Sequence, residues 1–179
     1  MSKEVYDDLS EELLRYDNWN KVDGLDELLP FNNSPDYDCL TDKEHWQLII
    51  EGWSGAELNS HKDHLNKWVD ILQRREPIDD FRRNLPEQLT IYRGGYDWGL
   101  SWTTSKKKAE WFIWRKTLHN PLYNPKPKKT KEPLSVLHVK KKDIMFYYNG
   151  RKEKEVVLIP LALMKYLDRH QIQNLKRGF

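Results

Sequence analysis

The hydrophobic pattern changes character about halfway along the chain. In the first half, apolar residues recur at three- and four-residue spacings, as from Trp46 to Ile50, which is typical of amphipathic helices. Thr41, with Glu44 three residues later, predicts a capping box at the start of that helix. A second helical stripe runs through residues 57–75. We therefore expect residues 1–87 to be mostly helical.

The second half carries short runs of β-branched and aromatic residues separated by turn residues, which is the pattern of strands. These runs lie at residues 89–92, 100–104, 134–139, 144–148 and 153–160. We expect the sheet of the molecule here, followed by only a helical turn or two beyond Pro160.

A helix is predicted between the second and third of these runs. Ser105 can act as its N-cap, and Ala109, Phe112 and Ile113 follow at spacings that match one helical face. Trp102 precedes the cap, inside the strand run. Because side chains alternate along a strand, Trp102 faces away from the hydroxyl residues on either side of it. We expect Trp102 to lie in the core.

Composition excludes several classes of protein. The chain has 179 residues, of which 38% are hydrophobic and 32% charged, as in soluble globular proteins. Its longest apolar run, near residues 156–164, is far shorter than a bilayer span, so we expect no membrane association and a cytoplasmic location. Cys39 is the one cysteine, so neither an internal disulfide nor a cysteine metal site is expected. His61 and His64 have no further ligand to join them, and we expect no metal.

Charge is divided between the two halves. Residues 1–92 hold 10 Lys and Arg against 21 Asp and Glu, whereas residues 93–179 hold 20 against 7, which gives net charges of −11 and +13. Either the acidic half packs on the basic half, or the basic half attracts a polyanion such as RNA or DNA. The Pro- and Lys-rich stretch at residues 119–133 has a similar pair of interpretations, a solvated linker or a basic flap that clamps nucleic acid.

Five polar residues of the basic half could carry chemistry. Arg93 ends the first strand run, where its planar guanidinium suits a phosphate. Ser101 and Thr103 place hydroxyls on the second run. Glu153 and Glu155 open the last run, and strand alternation predicts that both carboxylates face the same way. Taken singly, such residues are usually surface ion pairs or solvated side chains.

In this order the residues resemble a known family. An arginine ending a strand, a Ser-x-Thr strand and a Glu-x-Glu strand, at Arg93, Ser101 to Thr103, and Glu153 to Glu155, are similar to the arginine, serine, glutamate class of ADP-ribosyltransferases, which includes cholera-toxin-like enzymes. The residue spelling looks most like that of small members encoded by bacteriophages or prophages. The resemblance covers residues 89–160, somewhat under half the chain.

The resemblance implies a fold and a domain organisation. We expect an α+β, ADP-ribosyltransferase-like fold in which two small, mainly antiparallel sheets form an NAD cleft. The acidic helical part, residues 1–87, would form an N-terminal layer on the basic catalytic core of residues 88–179, within a single compact domain.

The resemblance also implies site roles, with NAD as the co-substrate. Glu155 would bind the ribose hydroxyl and stabilise the positive charge that develops on the sugar, while Ser101 holds its geometry. Arg93 would bind the phosphates or adjoining ribose of NAD, with Gly94, Ser101 and Thr103 completing the cofactor-binding set. Glu153, the remaining candidate, would position or deprotonate the acceptor.

The expected reaction is transfer of ADP-ribose from NAD to a macromolecule. Nucleic acid is slightly favoured as acceptor because of the basic catalytic half, whereas Glu153 favours the alternative, arginine of a host protein. Two further alternatives are an NAD glycohydrolase and a non-catalytic nucleic-acid-binding module. By resemblance, the protein would be a toxin or effector in phage–bacterium conflict, acting in the bacterial cytoplasm, with an antitoxin or inhibitor protein as a partner.

Overall fold

The computed structural model divides the chain into two compact units, Met1–Asp80 and Phe81–Phe179. It describes residues 2–29, 39–56, 62–95, 99–118, 133–150 and 152–177. The sequence prediction placed the change in organisation seven residues later, between residues 87 and 88.

The first unit is helical over the residues that the structure describes, as expected. Its helices are α1 Ser2–Arg15, α2 Lys21–Leu28, α3 Asp42–Gly55 and α4 Lys62–Leu72. They bury a core rich in tryptophan and leucine, formed by Leu13, Leu25, Trp46, Ile49, Trp53, Trp68 and Ile71. The predicted capping box of α3 is confirmed, because the Thr41 side chain accepts from the Glu44 backbone and the Glu44 side chain accepts from the Thr41 backbone.

In this unit, two buried cationic side chains donate hydrogen bonds to carbonyls at or near helix C-termini. Lys21 Nζ donates to the carbonyl of Leu13, near the end of α1, at 2.6 Å. The Arg74 guanidinium donates to the carbonyl of Leu29, which follows α2, and to the carboxylates of Asp26 and Asp70. Helix C-termini leave carbonyls without intrahelical partners, and a cation satisfies them while complementing the helix dipole.

The second unit holds all the strands that the structure describes. In chain order its elements are β1 Gln88–Gly94, β2 Ser101–Thr103, α5 Lys106–Leu118, β3 Leu134–Lys140, β4 Ile144–Tyr148, β5 Glu155–Leu158 and α6 Pro160–Arg177. The strands fall where the sequence predicted them, but α6 runs for 18 residues, and the expectation of a turn or two was wrong.

The strands form one five-stranded antiparallel sheet in the order β3-β1-β2-β5-β4. The fold is therefore α+β, but two small sheets are not seen in the part of the chain that the structure describes. The physical reason is β2, which pairs with β1 on one side and with β5 on the other and so joins them in one sheet.

The sheet is narrow where β1 meets β2. β1 pairs with β3 over its whole length, from Gln88↔Lys140 to Gly94↔Leu134. By contrast, β1 and β2 share a single register pair among the described residues, Tyr92↔Thr103. The two sheets that the sequence predicted are thus replaced by one sheet with a short junction between β1 and β2.

Helix α5 packs closely on β1. Ala109 is fully buried, and the predicted cap is confirmed because Ser105 Oγ accepts from the Lys108 backbone at 3.3 Å. A Cβ added at Gly94 would lie 2.5 Å from the carbonyl oxygen of Ala109 and 2.7 Å from Ile113 Cγ1. The absence of a side chain at Gly94 therefore allows the close approach of α5 to the sheet.

Candidate active site

Three of the residues singled out by the sequence meet beside the β1–β2 junction. Arg93 lies near the end of β1, Ser101 begins β2 and Glu155 begins β5. The Arg93 guanidinium donates to the carbonyl of Ser101, and the Ser101 hydroxyl donates to Glu155 Oε1 at 2.5 Å. One serine thus connects the cation to the carboxylate, through its backbone on one side and its side chain on the other.

The strand register explains the link between Ser101 and Glu155. Ser101 pairs with Val157, and Thr103 with Glu155, so these four residues share one face of the sheet. Ser101 and Glu155 are diagonal neighbours on that face, a separation that side chains can bridge. Glu155 retains only 5% of its surface exposure, so the hydrogen bond fixes a carboxylate that water barely reaches.

The position of Arg93 depends on a glycine that the sequence analysis did not single out. A Cβ added at Gly99 would lie 2.2 Å from Arg93 Nη2 and 2.3 Å from Arg93 Cζ. The guanidinium therefore rests directly on the backbone of Gly99, just before β2. A glycine two residues before a hydroxyl-bearing strand was the available signal, but sequence cannot show which side chain uses the space.

Thr103 connects backbone segments around the carboxylate. It is 4% exposed, its hydroxyl donates to the carbonyl of Glu153 at 2.6 Å, and its Oγ1 accepts from the Ser105 backbone at 3.0 Å. These contacts fix the chain before β5 and the start of α5. The predicted role of Thr103 in cofactor binding stays a prediction.

Glu153 does not lie on the same strand as Glu155. Strand β5 begins at Glu155, and Lys152 and Lys154 on either side of Glu153 have φ values of 56° and 50°. Extended alternation requires negative φ, so the expectation that both carboxylates face the same way by alternation was wrong in its premise. Sequence could not reveal this, because lysine is not a residue that favours the left-handed region.

The turn before β5 is held by Asn149. Its Oδ1 accepts from the Lys154 backbone at 3.1 Å, and its carbonyl accepts from the Lys152 backbone at 3.1 Å. Side-chain acceptors that bond nearby backbone are the usual reason for asparagine in turns. Asn149 therefore supports the strained segment that delivers Glu155.

Glycine is needed at positions 94 and 95 for different structural reasons. Gly94 accommodates α5, which accounts for a glycine without reference to a cofactor, and its predicted part in cofactor binding stays a prediction. Gly95 has φ 92°, which glycine tolerates best, and its N–H donates to the carbonyl of Pro133 at 3.1 Å. The turn predicted after Arg93 therefore begins at Gly95.

Trp102 lies in the core of the second unit. Trp102 is 2% exposed and its Nε1 donates to the Gly99 carbonyl at 2.8 Å, which confirms the prediction of a core residue. The basic stretch at residues 119–133 lies outside the described residues except for Pro133. Within the described ranges, no group of three or more His, Cys, Asp and Glu could hold a metal ion.

The geometry brings a planar cation and an oriented, nearly buried carboxylate to one place. A guanidinium binds phosphate oxygens through paired N–H donors, and a carboxylate stabilises positive charge that develops beside it. Low solvent access strengthens both interactions. The arrangement suits a ligand that carries an anionic group and a carbon centre that becomes positive.

Comparison with known protein families, with curated proteins and with solved structures found no match. None of the helices in the described part of the chain combines the length and apolar character needed to cross a lipid bilayer.

Proposed function

We propose that the protein is an NAD-dependent ADP-ribosyltransferase that moves ADP-ribose from NAD to a macromolecule and releases nicotinamide. The observation that carries the proposal is the connection of Arg93, Ser101 and Glu155 through two hydrogen bonds at the start of β2. Sequence order alone suggested this set, and the three residues lie 62 positions apart at most in a chain of 179. Their convergence is the support that sequence could not supply.

In this reaction the bond between the ribose C1′ and the nicotinamide nitrogen breaks, and its electron pair leaves with nicotinamide. The ribose becomes positively charged in the transition state, and Glu155 stabilises that charge while accepting a hydrogen bond from a ribose hydroxyl. Ser101 holds Oε1 of Glu155 in position. Arg93 binds the pyrophosphate or adjoining ribose, where the planar fork of arginine serves better than lysine.

The acceptor nucleophile then attacks C1′ and loses its proton to a base. Glu153 is the residue that the resemblance assigns to this step, and the Thr103 hydroxyl fixes its backbone carbonyl just before β5. Nucleic acid is the favoured acceptor class, because residues 93–179 hold 20 Lys and Arg against 7 Asp and Glu.

The test incubates the purified protein with NAD labelled in its ADP-ribose part, together with RNA, denatured DNA or cell-extract protein in separate reactions. Label on nucleic acid is expected. Glu155→Gln should reduce transfer by about 100-fold or more, because it removes the charge but keeps the shape and the acceptor for Ser101. Ser101→Ala should cause a smaller loss of transfer.

Glu87→Gln is the matched control, since Glu87 is an exposed carboxylate just before β1 that pairs with Lys141 at 3.9 Å and lies outside the proposed site. It should transfer at the wild-type rate. Label on protein, lost in Glu153→Gln, would replace nucleic acid with arginine as the acceptor. Nicotinamide release without labelled acceptor would indicate a glycohydrolase, and no nicotinamide release at all would refute an enzyme of this class.

A further inference from the structure

Helix α5 presents an exposed face that the proposed active site does not use. Lys106, Lys107, Glu110, Trp111 and Trp114 are all exposed, whereas Ala109 is fully buried against the sheet. At 100° per residue these five positions occupy one continuous side of the helix. The face runs about 12 Å along the helix axis, at 1.5 Å per residue.

The two tryptophans are the unusual part of this face. Trp111 is 37% exposed and Trp114 is 55% exposed, while Trp102 in the preceding strand is 2% exposed. Tryptophan buries more apolar surface than any other side chain, so exposing two of them three residues apart forgoes a large stabilisation. Positions three apart on a helix are neighbours, so the two indoles form one aromatic surface.

The lysines near the tryptophans lie at the N-terminal end of the helix, where positive charge is unfavourable. α5 opens with Lys106, Lys107 and Lys108 and has no acidic residue in its first turn. The N-terminal end of a helix carries partial positive charge and favours anions, so three lysines there repel both each other and the helix dipole. A bound polyanion would remove that repulsion.

Trp111 is also held in place. Lys108 Nζ lies 4.4 Å from the centroid of the Trp111 ring, and the Phe112 ring meets Trp111 edge to face with centroids 5.1 Å apart. An aromatic ring that is already positioned loses little conformational entropy when a ligand stacks on it. The ring is therefore prepared for stacking.

We propose that this face of α5 binds single-stranded nucleic acid, with bases stacking on Trp111 and Trp114 and phosphates contacting Lys106 and Lys107. Aromatic side chains interleaved with lysines are the combination that single strands require, because every base has a face to stack and every linkage carries a charge. Residues 93–179 as a whole are also positively charged, with 20 Lys and Arg against 7 Asp and Glu. Where the strand is also the acceptor of ADP-ribose, the inference rests on the proposed function; binding itself does not.

A single strand fits this face better than a duplex or a membrane. In a duplex the base faces are stacked on each other and are not accessible to side chains. On a helix that lies in a membrane interface, apolar and charged residues segregate to opposite faces. On α5 the tryptophans and lysines share one face.

The experiment measures fluorescence anisotropy of labelled 15-nucleotide deoxythymidine and uridine strands with the full-length protein, without NAD. Trp111→Ala and Trp114→Ala should each weaken binding about fivefold or more, and Trp114→Phe should retain most of the affinity because it keeps an aromatic face. Lys107→Gln should reduce the slope of log affinity against log salt by about 0.7. A duplex of the same length should bind more weakly than the single strands.

Two matched controls test whether the effect belongs to this face. Trp19 is 52% exposed but lies in the acidic first unit, and Lys140 is an exposed lysine on β3. Trp19→Ala and Lys140→Gln should leave binding unchanged. Equal losses in the controls would mean that general hydrophobicity or charge, rather than the α5 face, determines binding.

Other outcomes would overturn the inference. The first is single-strand binding that both tryptophan variants leave intact. The second is sedimentation of the protein with anionic vesicles, if Trp114→Ala abolishes it while strand binding persists. The third is a dimer that Trp114→Ala dissociates. Failure of the proposed function is separable, because Glu155→Gln should bind strands normally. A wild-type protein that binds single strands through Trp111 and Trp114 but releases no nicotinamide would refute the transferase and retain this inference.

Discussion

Gly99 provides the space in which the Arg93 guanidinium lies beside β2, and this makes a residue without a side chain part of the site. Gly99→Ala would place a methyl group 2.2 Å from Arg93 Nη2, which is the end of a flexible side chain and can move away. Stability should therefore change little, by less than about 1 kcal/mol. The KM for NAD should rise about tenfold or more, because a charge-assisted contact to the phosphates is lost. Thermal unfolding and steady-state kinetics together measure both effects.

Arg93→Lys is the comparison for this variant. It should raise the KM for NAD in the same direction, since lysine cannot reproduce the planar fork, and combining the two substitutions should add little. Normal kinetics in Gly99→Ala, with impaired kinetics in Arg93→Lys, would show that the guanidinium does not need its place on Gly99.

At the scale of elements, the turn before β5 determines how Glu155 is presented. Lys154 has φ 50°, a conformation that costs an L-residue about 1 kcal/mol and a β-branched residue more. Lys154→Val should therefore destabilise the protein by more than about 1 kcal/mol and reduce transferase activity. Lys154→Gly should be neutral or slightly stabilising, because relief of strain offsets the greater freedom of the unfolded chain.

Urea unfolding of the two variants checks this prediction. Lys165→Val supplies a control for loss of one positive charge, since Lys165 is an exposed residue of α6. Equal stability of Lys154→Val and Lys154→Gly would contradict the assigned backbone conformation.

The contact between α5 and β1 depends on Gly94. Gly94→Ala would bring its Cβ within 2.5 Å of the Ala109 carbonyl, which is helix backbone and cannot rotate away. We expect a loss of about 1–3 kcal/mol, as for other overpacked positions. Differential scanning calorimetry or urea unfolding measures it.

Gly55→Ala is the matched control for Gly94→Ala. Gly55 lies at the end of α3, and an added Cβ would meet the flexible Lys21 side chain, with its nearest atom, Cε, at 3.4 Å. Because alanine favours helix over glycine, this variant should gain about 0.5–1 kcal/mol. Destabilisation by both substitutions would mean that close approach is not the cause.

Elements whose signals are local could be predicted from the sequence. The capping box at Thr41, the Ser105 cap and the alternation that buries Trp102 each depend on residues within one turn or strand. The joining of the strands into one sheet could not be predicted, because it depends on which edges β2 pairs with. The displacement of Glu153 from the strand depends on left-handed lysines, which composition does not indicate.

At the scale of the whole molecule, stability depends on pH through His45. Burial, with Arg75 and Arg74 nearby, lowers the pKa of His45 to about 3. The unfolded chain binds a proton near pH 6.5 that the folded protein does not bind until about pH 3. This contribution to stability is complete above pH 6.5 and is lost as pH falls, by at most about 1.4 kcal/mol per pH unit.

Urea unfolding between pH 4 and pH 8 measures this slope against a variant. His45→Gln cannot titrate and should show a shallower fall in the free energy of unfolding below pH 6.5. His138→Gln is the control, because the His138 ring is exposed on β3. An unchanged slope in His45→Gln would mean that His45 is protonated in the folded protein at mild acidity.

The single register pair between β1 and β2 has a consequence for how a ligand is accommodated. Glu155 lies in the part of the sheet formed by β2, β5 and β4, where β5 pairs with a strand on each side. Arg93 lies in the part formed by β3 and β1, and among the described residues β1 shares with β2 one register pair, Tyr92↔Thr103, besides the bond from the Arg93 side chain to the Ser101 carbonyl. Adjustment to ligands of different length is therefore expected at the β1–β2 junction, which separates the two residues. A change in the angle between the two parts of the sheet would alter the distance from the Arg93 guanidinium to the Glu155 carboxylate, while the strand pairing within each part stays intact.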